Sequence, residues 1–155
     1  MIFRNPTKRT QMAHVTNLIS MARLDGQLTQ NEMDYILAVA KEHNLTQAEL
    51  DQCMKDSDNL VIEVPQSEED RIEYMKDLVS MVFSEGGIDQ QKRRFAEHIC
   101  EKFGYDGKET VDILYDELMK EINDSEQDNY NLPAFSARRT IYLFSINSGD
   151  KIEYQ

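Results

Sequence analysis

The chain has 155 residues, of which 40% are hydrophobic and 30% charged, a balance that supports one globular core and excludes wholesale disorder. Its formal net charge of -12 repels phosphate backbones and anionic headgroups, which argues against nucleic acid as a ligand and for cations or basic proteins as partners. Arg4, Lys8 and Arg9 precede a Met12 to Ala22 stretch broken by His14, Thr16 and Asn17, so neither a secretory leader nor an integral membrane segment is expected, and the protein reads as cytoplasmic.

Met12, Val15, Leu18, Ile19 and Ala22 recur at three-and-four spacing, which predicts a first amphipathic helix over roughly 8–24 that stops at Asp25-Gly26. Thr29-Gln30-Asn31-Glu32 matches a capping box, and Met33, Ile36, Leu37 and Ala40 follow as the inner face of a second helix ending near His43-Asn44. Thr46-Gln47-Ala48-Glu49 repeats the signal and opens a short third helix carrying Leu50, Cys53 and Met54. Leu60 to Val64 reads as an extended linker, because Pro65 disfavours helix in the residue before it.

Ser67 starts a fourth helix with Ile72, Met75, Val79, Val82 and Phe83 inward, which ends at Glu85-Gly86-Gly87. Asp89 caps a fifth, with Phe95, Ala96, Ile99 and Phe103 inward and Gly104 at its left-handed end. A sixth begins at Asp106-Gly107 and buries Val111, Leu114, Leu118 and Ile122. The tail over 123–155 starts as an Asn- and Asp-rich loop, and its aromatic, β-branched run Thr140 to Ile146 before the turn Asn147-Ser148-Gly149-Asp150 is consistent with a short C-terminal hairpin.

Leu18 to Gln30 aligns without gaps on Leu78 to Gln90, and the match extends to Tyr35 with Phe95 and Val39 with Ile99. A helix, an acidic-Gly turn and a capped helix therefore occur twice, predicting a single all-α domain over 1–155 of six to seven helices, with repeat-related helix-turn-helix halves at about 8–55 and 68–122.

The motif Ala22-Arg23-Leu24-Asp25-Gly26-Gln27-Leu28-Thr29-Gln30-Asn31-Glu32 resembles the hallmark of the tellurite-resistance TerB-like family, and the resemblance covers residues 10–122. It implies an all-helical fold of antiparallel pairs and a divalent-cation or partner-binding role in bacterial stress response, without enzymatic activity. The second copy departs from the pattern, with Glu85 in place of the Asp and Lys92 in place of the Glu.

Two functional expectations follow. The acidic run comprising Glu42, Glu49, Asp51, Asp56, Asp58, Glu63, Glu68, Glu69, Asp70 and Glu73 is either a solvated face or a docking surface for a basic protein. Alternatively, Asp25 and Glu32 at one turn, with Glu85 and Asp89 at its repeat, hold a divalent cation as a sensor or buffer, since hard cations need several carboxylate oxygens. The same residues can equally be helix punctuation, with Thr29 and Asp89 as caps and Glu32 as the capping-box partner. Asp25 to Glu32 also matches the second half of an EF-hand loop, but Met21 and Arg23 stand where earlier oxygen ligands belong.

No catalytic motif is present: His14, His43 and His98 lie outside any HExxH, and neither a GxSxG nor a Gly-rich phosphate loop occurs, so each histidine reads as a surface or partly buried helix residue. Cys53 and Cys100 read as buried thiols rather than a disulfide or zinc pair.

Overall fold

The computed structural model describes residues 5–26, 28–84, 87–127, 139, 142 and 143. Among them the chain forms six α-helices: α1 Pro6–Ala22, α2 Gln30–Glu42, α3 Gln47–Asp56, α4 Glu68–Val82, α5 Gln90–Lys102 and α6 Gly107–Gln127. A single 3-10 turn, Arg23–Asp25, continues α1 into Gly26. The all-α expectation holds.

The helix starts are chemically specified. Asn5 caps α1, accepting the Lys8 N–H at 2.7 Å, and Pro6 occupies the first turn, where its missing N–H costs nothing. Thr29 and Thr46 each form a full capping box with Glu32 and Glu49, and Ser67 and Asp89 cap α4 and α5. The Thr46 backbone N–H, donated at 2.9 Å, is the main reason the Glu49 carboxyl ionises below its ordinary range.

The repeat runs further than the aligned segment, through all three helices of each half and with one constant offset. Leu45 N–H donates to Ala40 O and Tyr105 N–H donates to Cys100 O, both at 3.0 Å, closing α2 and α5 in the same way. The residue before each donor has positive φ, Asn44 at 56° and Gly104 at 95°. The side chains of Thr46 and Asp106 then receive the backbone N–H groups of Glu49 and Glu109 at the starts of α3 and α6. Ser20 and Ser80 each turn a hydroxyl back to the carbonyl four residues earlier.

α1 and α4 are the central pair. α1 packs against α2, α3, α4 and α5, while α4 packs against α1, α5 and α6. Consequently α1 is buried from Met12 to Ile19 without a break, and α4 is buried at Tyr74, Met75 and from Asp77 to Val82. Their polar residues are enclosed along with the apolar ones: His14 is 4% exposed and Asp77 0%. His14 was expected at or near the surface, and the correction follows from a helix being enclosed by four others instead of resting on one face.

The structure departs from the periodicity reading at the end of α4 and beyond residue 122. α4 stops at Val82, and Phe83–Ser84 (β1) then pairs antiparallel with Gly87–Ile88 (β2), so Phe83 has extended backbone. Leu60 to Val64 has no regular structure, as expected, and Asn17 binds the carbonyl of Val61 at 2.8 Å. α6 continues to Gln127, through the start of the loop expected from Asn123; of the expected C-terminal hairpin, Tyr142 and Leu143 are helical and buried in the core, and the other positions from 128 onward lie outside the described residues apart from Arg139. Both cysteines are buried and neither forms a disulfide, and burial pushes the Cys100 thiol up to about 12, with Glu97 and Glu101 adding to the rise.

Candidate functional site

At the turn after α1, the chain brings together two of the four carboxylates expected to hold a cation. Glu32, 3% exposed, receives the backbone N–H and hydroxyl of Thr29 on Oε1, both at 3.0 Å. Its Oε2 accepts from the Lys92 ammonium at 2.7 Å, and Asp25 Oδ2 lies 3.7 Å from the same nitrogen. Lys92, 1% exposed, therefore stands between Asp25 and Glu32 where a bound cation would stand. Asp89 is directed elsewhere, with Oδ1 accepting the backbone N–H groups of Gln91 and Lys92 as the α5 cap. Glu85 lies outside the described residues. Among the described residues, no group of three His, Cys, Asp or Glu side chains is placed to hold a metal ion.

The second polar centre lies between α1 and α4. Asp77 receives the Tyr35 hydroxyl and, at 3.2 Å, Arg139 Nη1 on Oδ1, while its Oδ2 lies 2.8 Å from His14 Nε2, outside linear hydrogen-bond geometry. His14 Nδ1 and His43 Nε2 are 2.9 Å apart, so one ring donates and the other accepts. Tyr74 stacks on His14 with centroids 4.3 Å apart and planes 11° from parallel. Its hydroxyl accepts from Asn17 and donates to the Ala13 carbonyl. Burial raises the Tyr74 phenol well above its ordinary range, against the lowering effect of the Asn17 bond, so it stays neutral.

This centre floors a cavity of about 350 Å³. α1 contributes Thr10, Gln11 and His14, the end of α2 gives Glu42 and His43, and the first turns of α4 give Glu69, Asp70 and Glu73. Four carboxylates and two imidazoles thus line one concavity, and among the described residues no lysine or arginine side chain joins them. Arg139 reaches Glu73 from the interior at 2.9 Å.

No protein-family model, curated protein or solved structure matches this chain. The resemblance to the TerB-like family therefore rests on the turn motif and the repeat alone.

Sequence reasoning found the acidic run but read it as a face, and it treated the three histidines separately. The Asp77–His14–His43 line was signalled in one way only: at the spacing of the repeat, His14 falls on Tyr74 and Asn17 on Asp77, four polar side chains on the two most enclosed helices.

Proposed function

We propose that this chain is a non-enzymatic, cytoplasmic interaction module of the TerB-like kind that docks a basic protein through its acidic surface. The observation that carries the reading is the placement of Glu42, Glu69, Asp70 and Glu73 around one cavity that no lysine or arginine lines among the described residues. A run that only maintains solubility needs no such concavity, since charges serve solubility best when dispersed over convex surface. Clustered carboxylates instead raise the local concentration of cationic partners and speed their association. The Asp77–His14–His43 line reads as structural wiring, because Asp77 also serves Tyr35 and Arg139.

Affinity retention from a lysate of the source cell tests the reading against two charge-matched variants. Glu69→Gln/Asp70→Asn alters the cavity rim, whereas Asp51→Asn/Asp58→Asn removes the same charge from the exposed run outside the cavity. A basic protein should be retained at low salt, released as salt rises, lost with the first variant and kept with the second. Retention that neither salt nor the rim variant alters would refute acidic docking.

A further inference from the structure

We infer that the cavity between α1, the end of α2 and the start of α4 takes a single guanidinium group, the side chain of an arginine on the docked partner. This inference rests on the docking reading above and names the chemistry of its anchor.

The charge of the cavity sets the sign of its occupant. Glu69 and Asp70, exposed at the start of α4, take part in no ion pair among the described residues. Some acidic groups elsewhere have their own cations, with Lys92 serving Asp25 and Glu32, Arg93 serving Glu97 and Asp112, and Lys76 serving Glu117 and Glu121, but what sets Glu69 and Asp70 apart from the other unpaired acids is that they line a concavity.

Size and spacing exclude a bare metal ion. No three ligating side chains among the described residues come close enough to hold one, while about 350 Å³ lies within the range of organic-ligand sites. The occupant must therefore be an extended cation that reaches several separated acceptors. A guanidinium has five donors in a planar fork and a weakly held hydration shell, whereas an ammonium is a compact and strongly hydrated point charge. The floor is preorganised, since His14 is 4% exposed and is held by His43, Asp77 and the Tyr74 ring.

The second copy of the repeat supplies an independent indication. At the wall position of Gln11 it carries Arg71, whose guanidinium donates to the Tyr105 hydroxyl at 3.0 Å and to the carbonyls of Pro65 and Gln66. At the positions of Glu42 and His43 it carries Lys102 and Phe103. One half thus provides its own guanidinium at this place in the helix pair, and the other presents acids and a cavity.

The test uses the full chain, labelled for imidazole NMR, titrated with Nα-acetyl-arginine amide at constant ionic strength. Exposed His98 on α5 is an internal control. We expect saturable shifts of His14 and His43 with a dissociation constant on the order of 1 mM, as suits a ligand of this size, and no shift of His98. Nα-acetyl-lysine amide should bind several-fold more weakly. Glu69→Gln/Asp70→Asn should weaken arginine binding about tenfold while Asp51→Asn/Asp58→Asn leaves it unchanged. Glu42→Gln serves as a second rim variant if the first melts early.

Absence of saturation by about 100 mM, a parallel response of His98, or equal binding of the lysine probe overturns the inference. If the probe fails while rim-dependent retention of a basic protein persists, the anchor is wrong and the docking reading stands. If both fail, both are wrong.

Discussion

Replacing Lys92 by Met removes the ammonium that faces Glu32 while keeping most of the side-chain volume. Among the described residues the Glu32 carboxylate, 3% exposed, then retains the Thr29 donors on Oε1, and Oε2 loses the partner it had at 2.7 Å. Breaking one side of a buried pair costs about 3–5 kcal/mol, mostly the penalty of a charge left without its counterion. Asp25 contributes little to this figure, because it is 3.7 Å away and its side chain is 41% exposed. For a chain of this length the loss corresponds to a fall in Tm of about 6–20 °C.

Urea unfolding followed by far-UV circular dichroism gives the energy directly, and an unchanged m value shows that the native fold is the one being compared. Adding Glu32→Gln to Lys92→Met should restore most of the loss, since Gln keeps the capping box and removes the unpaired charge. Lys92→Met within about 1 kcal/mol of the wild type, or a double variant less stable than the single, would refute the assignment of Lys92 as the internal counterion. A calcium, magnesium or manganese effect on the wild-type melt would refute it independently, because an ion at a hundredfold excess over Kd adds about 2.7 kcal/mol of stability.

Asp77→Asn should cost about 3 kcal/mol or more in the same assay, because Asp77 is fully buried and faces the buried Arg139 guanidinium at 3.2 Å; a loss below about 1 kcal/mol would place the Asp77 charge outside the fold's wiring. Cys53 and Cys100 should both resist a disulfide reagent at pH 8 in the native protein and react on unfolding, and rapid native reaction of either thiol would contradict its burial. The Glu49 carboxyl is lowered in the folded state, so its stabilisation is present above the ordinary carboxylate range and lost as pH falls through the lowered value. Glu49→Gln should accordingly be less stable than wild type at neutral pH and converge with it in acid, whereas a gap that persists in acid would show that charge is not the cause.

The parts of the fold legible in the sequence were those specified within a few residues. Thr29, Thr46, Ser67 and Asp89 were all read as helix starts and are all caps, because capping joins a side chain to a backbone N–H two or three positions away. The burial of His14, Thr16 and Asn17 was not legible, since periodicity assigns a helix one inner face and cannot count the helices that will surround it. The surroundings of Asp25 and Glu32 were not legible for the same reason. The sequence places Asp25 and Glu32 at one turn and shows Lys92 as a departure from the motif, but nothing local shows that its ammonium reaches across to them.

That reach has a physical explanation in the symmetry of the repeat. Glu32 and Lys92 are separated by 60 residues, the offset that relates the two halves, and so are the stacked rings of His14 and Tyr74. Equivalent residues that touch each other must lie on the pseudo-two-fold axis between the halves. Across that axis contacts are exchanged: His14 meets Asp77, and Tyr74 meets Asn17, with each partner replaced by its equivalent. In a symmetric dimer of a single half, an axial glutamate would face its own copy, and two buried carboxylates that close cannot both stay ionised. Joining the halves in one chain removes that constraint, so one axial position can be Glu and the other Lys. The same freedom separates the outer surfaces, where Glu42 of one half corresponds to Lys102 of the other. Divergence at the axis stabilises the pairing of the halves, and divergence at the rim places acids around the cavity of one half where the other carries Arg71 and Lys102.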